Sequence, residues 1–102
     1  MDMNDMLQQA QKMQLELARA QEEIKELTYT ATSGGGMVEA TANGDGRIES
    51  ITIQPEAIDP DDPDMLQDMI IVAVNEALRG VAEAGEARLG SVTGGLNIPG
   101  LF

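Results

Sequence analysis

The chain has 102 residues, 42% of them apolar, and its 18 acidic and 6 basic side chains give a net charge of −12, so it supports one small domain with a modest core. Histidine and cysteine are absent, which removes the usual general base near neutral pH, thiolate nucleophiles, disulfides and the customary ligands of zinc or iron. The longest apolar run, residues 69–74, falls far short of the roughly 20 residues of a membrane span, and Met1-Asp2-Met3-Asn4-Asp5 lacks the basic start of a secretion signal. The expected address is cytoplasmic.

The first element is a helix over residues 3–27. Met3, Met6, Ala10, Met13, Leu17, Ala20, Ile24 and Leu27 recur in alternating steps of three and four, the repeat that selects a narrow seam packed against another helix. At 1.5 Å per residue the rod is about 37 Å long, more than a domain of this size needs, so part of the seam is expected to meet a second chain. Met6, Met13, Leu17 and Ile24 are the candidate interface residues. Methionine suits such a surface because its unbranched thioether fills irregular contacts. Lys12 and Arg19, seven apart, together with nearby Lys25, draw a sparse cationic line along one flank of the helix.

From Leu27 the period changes to two. Leu27, Tyr29 and Ala31 alternate with Thr28, Thr30 and Thr32, which suits a pleated strand ending at Ser33. Gly34-Gly35-Gly36 breaks the chain, and a second strand follows over residues 37–42 with Val38, Ala40 and Ala42 on one face. Asn43-Gly44-Asp45-Gly46 supplies a tight hairpin, leading to a third strand over residues 47–53. Ile48 has the opposite parity to Ile51 and Ile53, so either a bulge re-aims it or that end of the strand is covered on both faces.

Half of the net negative charge lies in residues 54–68, where Glu56, Asp59, Asp61, Asp62, Asp64 and Asp68 meet no base. A calcium loop starting at Asp59 would need glycine at its sixth position and glutamate at its twelfth, and the chain has Asp64 and Ile70 there. Helix-start chemistry fits better: Asp62 as N-cap, Pro63 in the first helical position and Asp64 in the first turn. The helix that follows carries Leu66, Met69, Ile70, Ala73, Val74, Ala77, Leu78, Val81 and Ala82 on a face broad enough to lie on the sheet. Gly80 and Gly85 weaken it unless a neighbour approaches closely. Beyond Gly90 no period remains, and the apolar end with the only Phe, Phe102, reads as a flexible tail or a docking strip.

Catalysis lacks its parts. Ser33, Ser50 and Ser91 have no histidine to activate them, and no Lys-Ser or Lys-Thr follows the triple glycine to make a phosphate loop. The expectation is an α+β non-enzyme without metal or cofactor: a single domain over residues 1–90 built as helix, three-stranded antiparallel meander and helix, then a tail over residues 91–102.

Several segments in order resemble the YbaB/EbfC family of bacterial nucleoid-associated proteins. They are Gln9-Ala10-Gln11-Lys12-Met13-Gln14 with Ala20-Gln21-Glu22-Glu23, Ser33-Gly34-Gly35-Gly36-Met37-Val38, Asn43-Gly44, Ile53 through Pro55, the connector from Asp59 to Asp64, Met65-Leu66-Gln67-Asp68, Asn75-Glu76-Ala77-Leu78, and the ending from Thr93 to Phe102. The resemblance implies a tweezer-like homodimer that binds double-stranded DNA broadly without sequence preference and acts in nucleoid organisation and gene expression. It also implies that helix cations contact DNA, which carries over to Lys12 and Arg19 and, beyond them, to Lys25, Arg79 and Arg88. The first helix departs from the lysine-rich pattern of the family at Leu7-Gln8-Gln9 and Leu15-Glu16. Two or three phosphate contacts per subunit of a dimer would give a slope of log affinity against log salt of about −4 to −5. The rival reading is an acidic adaptor for a basic DNA-handling protein, with little DNA affinity of its own.

Overall fold

The computed structural model describes residues 2–94. Helix α1 (Met3–Lys25) is followed by strands β1 (Thr28–Ser33), β2 (Val38–Asn43) and β3 (Ile48–Ile53), and by helix α2 (Pro63–Thr93). The strands form one antiparallel sheet in the order β1-β2-β3, so the expected meander between two long helices is present. Helix α2 continues to Thr93, three residues past Gly90; the remainder of the segment read as a tail, from Gly95, lies outside the described residues.

Each helix begins where a carboxylate can accept from its first free N–H groups. Asp2 accepts from the Asp5 amide at 2.8 Å, and Asp62 accepts from the Met65 amide at 3.3 Å. Asp59 turns the connector in the same way, accepting from the Asp61 amide at 2.9 Å. Much of the acidic connector is thus turn and cap chemistry. Among the described residues no three carboxylates come together in a way that could hold a metal ion.

The sheet has one apolar and one polar face. Cross-strand pairing puts Tyr29, Ala31 and Ser33 beside Ala42, Ala40 and Val38, which in turn pair with Ile48, Ile51 and Ile53. The parity conflict at Ile48 is resolved by a bulge: Thr41 pairs with Ser50 and Ala42 with Ile48, leaving Glu49 as the extra residue. All three isoleucines therefore share a face. On the other face stand Thr28, Thr30, Thr32, Glu39, Thr41, Ser50 and Thr52, with the Thr30 and Thr41 hydroxyls hydrogen-bonded at 2.8 Å.

Helix α2 lies across β1 and β2 and barely reaches β3. Its approach is close because the residues between the layers are small: Val38, Ala40, Ala42, Ala73, Ala77 and Val81 form the buried cluster. Val38 is the largest fully buried side chain. Gly80 sits against the Tyr29 ring, with no room for a Cβ, and the Ser33 hydroxyl donates to the Met69 carbonyl at 2.6 Å. Ala82, expected on the sheet-facing side, is exposed instead, because the close layer contact needs only the narrower stripe through Ala73, Ala77 and Val81.

Helix α1 packs on the C-terminal half of α2 rather than on the sheet, as its narrow seam suggests. Ile24 meets α2 at Gly85, where a Cβ would lie 3.4 Å from Ile24 Cγ2, and Arg88 donates to Glu23 at 2.5 Å. The β2–β3 hairpin closes the junction. Asn43 Oδ1 accepts from the Asp45 and Arg47 amides, the Gly44 amide donates to the Leu27 carbonyl at 2.9 Å, and a Cβ on Gly44 would collide with the Ile24 carbonyl.

Three outcomes follow from these contacts. Gly80→Ala forces the Tyr29 ring outward, and overpacking of about 1–3 kcal/mol exceeds the roughly 1 kcal/mol gained in helix propensity, so the melting temperature falls. Gly90→Ala, with nothing within 4 Å of the new Cβ, keeps only the propensity gain and raises it. Calorimetry of the two variants reads the opposite signs. The hydrogen bond from Arg88 holds the Glu23 carboxyl below its ordinary value of 4.5 and raises the Arg88 guanidinium. A depressed carboxylate stabilises the fold above its unfolded value, and that contribution is lost as pH falls through the folded one. Glu23→Gln should therefore lower the melting temperature slightly at pH 7 and leave it unchanged near pH 2.

Candidate nucleic-acid interface

Among the described residues, cover of the α1 seam increases toward its C-terminal end. Ala20 is buried, Ile24 rests on Gly85, and Met13 and Leu17 are half-buried. Met6 is 59% exposed and Met3 77%. Leu7 and Leu15, which lie off the seam, are also exposed. Of the four interface candidates, Ile24 is thus engaged inside the chain, Met6 is open, and Met13 and Leu17 stand between these extremes.

The cations divide in a similar way. Arg79 is held by two carboxylates of its own helix, donating to Glu76 at 2.6 Å and to Glu83 at 2.7 Å, and these hydrogen bonds raise its pKa and lower that of Glu76. Arg88 is tied to Glu23 and also donates to the Ser91 hydroxyl at 2.8 Å. Lys25 pairs with Glu22 at 3.3 Å. Among the described residues Lys12, Arg19 and Arg47 make no ion pair. All three are exposed.

Lys12 and Arg19 share a helix flank about 10.5 Å apart along the axis, a distance of roughly three base steps of a DNA strand at 3.4 Å each. Lys12 stands beside Asp5, Gln8 and Gln9 in a shallow surface depression. Arg47, overlooked in the sequence, follows the Asn43-Gly44 turn with its amide fixed by Asn43. Its place just after a tight hairpin was visible in the sequence, but its lack of an ion pair among the described residues is a property of the fold.

The acidic connector lies well away from these groups. From Asp62, the cap of α2, to Arg88, where α1 is tied on, the helix rises about 39 Å. Because Ile24 packs at Gly85 and Glu23 at Arg88, α1 runs antiparallel to α2, and Arg19 and then Lys12 lie farther along the 72 Å long axis of the molecule. That separation is several times the screening length of about 8 Å at physiological salt. The connector's share of the negative charge is therefore screened at the outer flank of α1, where Lys12 and Arg19 meet only the carboxylates of their own helix and its caps, among them Asp5 and Glu16.

Residues 1–96 match the family model described as the YbaB/EbfC DNA-binding family. A nucleoid-associated protein of Acetivibrio thermocellus is 53% identical over 99% of this chain and 90% of its own length. One of Desulforamulus reducens is 54% identical over 99% of this chain and 96% of its own length. The crystal structure of an uncharacterised protein from Helicobacter pylori superposes with a TM-score of 0.65 at 26% identity, covering 85% of this chain and 91% of that one. With the match running through helices, sheet and hairpin alike, the chain belongs to the YbaB/EbfC DNA-binding family.

Proposed function

We propose that two copies of the chain associate through the open half of the α1 seam. The resulting homodimer binds double-stranded DNA without base preference, chiefly through Lys12 and Arg19 on phosphates, as a nucleoid-associated protein of the bacterial cytoplasm. The observation that carries this reading is the pair of exposed cations, Lys12 and Arg19, on the projecting helix, which make no ion pair among the described residues and lie some 40 Å from the acidic connector along α2. Relatives named as nucleoid-associated support it. So does the surface, which exposes Met3, Met6 and Leu7 on α1 and Ile51, Ile58, Met65, Ile71 and Val72 elsewhere, while the core is mostly alanine. A chain that leaves its larger apolar groups outside gains by covering them with a partner.

Phosphate contacts carry no base information, since sequence is read at base edges in the grooves. Two side chains from each of two copies neutralise about four phosphates, giving a slope of log affinity against log salt near −3.6. Fluorescence anisotropy with a random duplex should return that slope. Lys12→Ala combined with Arg19→Ala should weaken binding at low salt at least tenfold and flatten the slope, whereas Arg79→Ala, already neutralised by Glu76 and Glu83, should change little. Undiminished binding by the double variant would remove those two residues from the role.

The association is tested separately by solution mass, expected at twice the 10.8 kDa of the chain. Met6→Asp alters a side chain that the folded chain leaves open, so it should keep the helix content and shift the mass toward that of one chain. The exposed carboxylates Glu56, Asp61, Asp64 and Asp68 favour a second reading, an adaptor for a basic protein. A partner that survives nuclease treatment in a pull-down would support it over direct DNA binding.

A further inference from the structure

Beside the junction of α1 and α2 lies an apolar groove of about 500 Å³, open along one side. Its walls come from Ile24 of α1 and Leu78, Val81, Ala82 and Leu89 of α2, with the hairpin glycines Gly44 and Gly46 at one end and Glu86 on the α2 side. The volume is that of a pocket that takes a small ligand or a few side chains. At its hairpin end the groove is bounded by the Gly44 turn, which abuts the Ile24 carbonyl because it has no Cβ.

From the geometry we infer that the groove is the docking site of the C-terminal segment of its own chain, with Leu101 and Phe102 as the anchoring side chains. Helix α2 ends at Thr93, about 6 Å of rise beyond Leu89, which lines the groove. Nine residues, Gly94 to Phe102, follow the helix, and an extended chain of that length covers up to about 30 Å. Leu89 to Leu78 spans about 16 Å of α2. The segment therefore reaches the whole groove after reversing direction, and Gly94-Gly95 at the helix end supplies the residues that permit a reversal.

The chemistry matches as well. Gly95-Leu96-Asn97-Ile98-Pro99-Gly100-Leu101-Phe102 carries no charged side chain and holds four large apolar ones, while the groove wall is almost wholly aliphatic. An aromatic ring buried against aliphatic side chains removes a large area from water, and Pro99 limits the freedom lost on docking. Docked there, the segment straps α1 to α2 at the point that sets the direction of the projecting arm. This inference does not depend on DNA binding or on the interface proposed for Met6.

The test uses the full chain, in which Phe102 is the only phenylalanine and its ring protons are identifiable by labelling that residue type. Nuclear Overhauser contacts from the ring to the methyl groups of Leu78, Val81 or Leu89 are the expected result. In the full-length Ala82→Glu variant, where an exposed wall position becomes charged, those contacts should vanish and the ring shifts should move to unfolded values while helix content is retained. A freely rotating ring with unfolded shifts in the unaltered protein overturns the inference. So does a sample mixed from labelled and unlabelled chains in which the contacts arise only between copies.

Discussion

The attachment of α1 through its C-terminal part governs the shape of this molecule. The helix is fixed where Ile24 meets Gly85, where the Gly44 turn abuts the Ile24 carbonyl, and where Glu23 receives Arg88. Before that point its apolar seam has no complete cover among the described residues, since Met3 and Met6 are mostly exposed. Gly44 makes the junction possible, because a Cβ there would collide with the Ile24 carbonyl. A helix clamped at one end presents whatever it carries beyond the body of the protein. Here it carries unsatisfied apolar side chains and two unpaired cations.

The same economy of side-chain size runs through the core. Alanine on both layers, with Gly80 under Tyr29, brings α2 close to the sheet but buries few large groups. Close layers limit the apolar area that one chain can remove from water, because each alanine contributes a single methyl group. The larger residues Ile51, Ile71 and Val72 remain on the surface. Folding and association are thereby linked in this reading, and the partner supplies cover that a bulkier core would have made unnecessary.

The elements were legible in the sequence where one residue type does one job. Asp62-Pro63 started α2, Asn43-Gly44 closed the hairpin, and alternation in Thr28–Ser33 and Val38–Asn43 set the two faces of the sheet. The bulge at Glu49 was legible only as a conflict, because parity reports a mismatch without its cause. Ion pairing was partly visible. Arg79 lies three residues after Glu76 and four before Glu83, spacings that meet on any helix, whereas Arg88 and Glu23 are 65 apart and meet only through the fold. Nothing in the repeat from Met3 to Leu27 marks where cover within the chain stops, since that depends on how far α2 extends beside it.

Charge followed the same division. A net charge of −12 argues against a polyanionic partner only if the charge is spread evenly, and the fold places six carboxylates of the connector at the far end of α2. Family membership rests on the match over residues 1–96, whereas the proposed role of Lys12 and Arg19 rests on α1 standing out from the body as an arm. The most direct test of the paired arms is a pulsed dipolar distance measurement on the Gln8→Cys variant, which gives one spin label per copy because the chain has no other cysteine. The account predicts one short, narrow distance between labels of two copies, and the absence of any dipolar signal at concentrations where the protein is folded would contradict it.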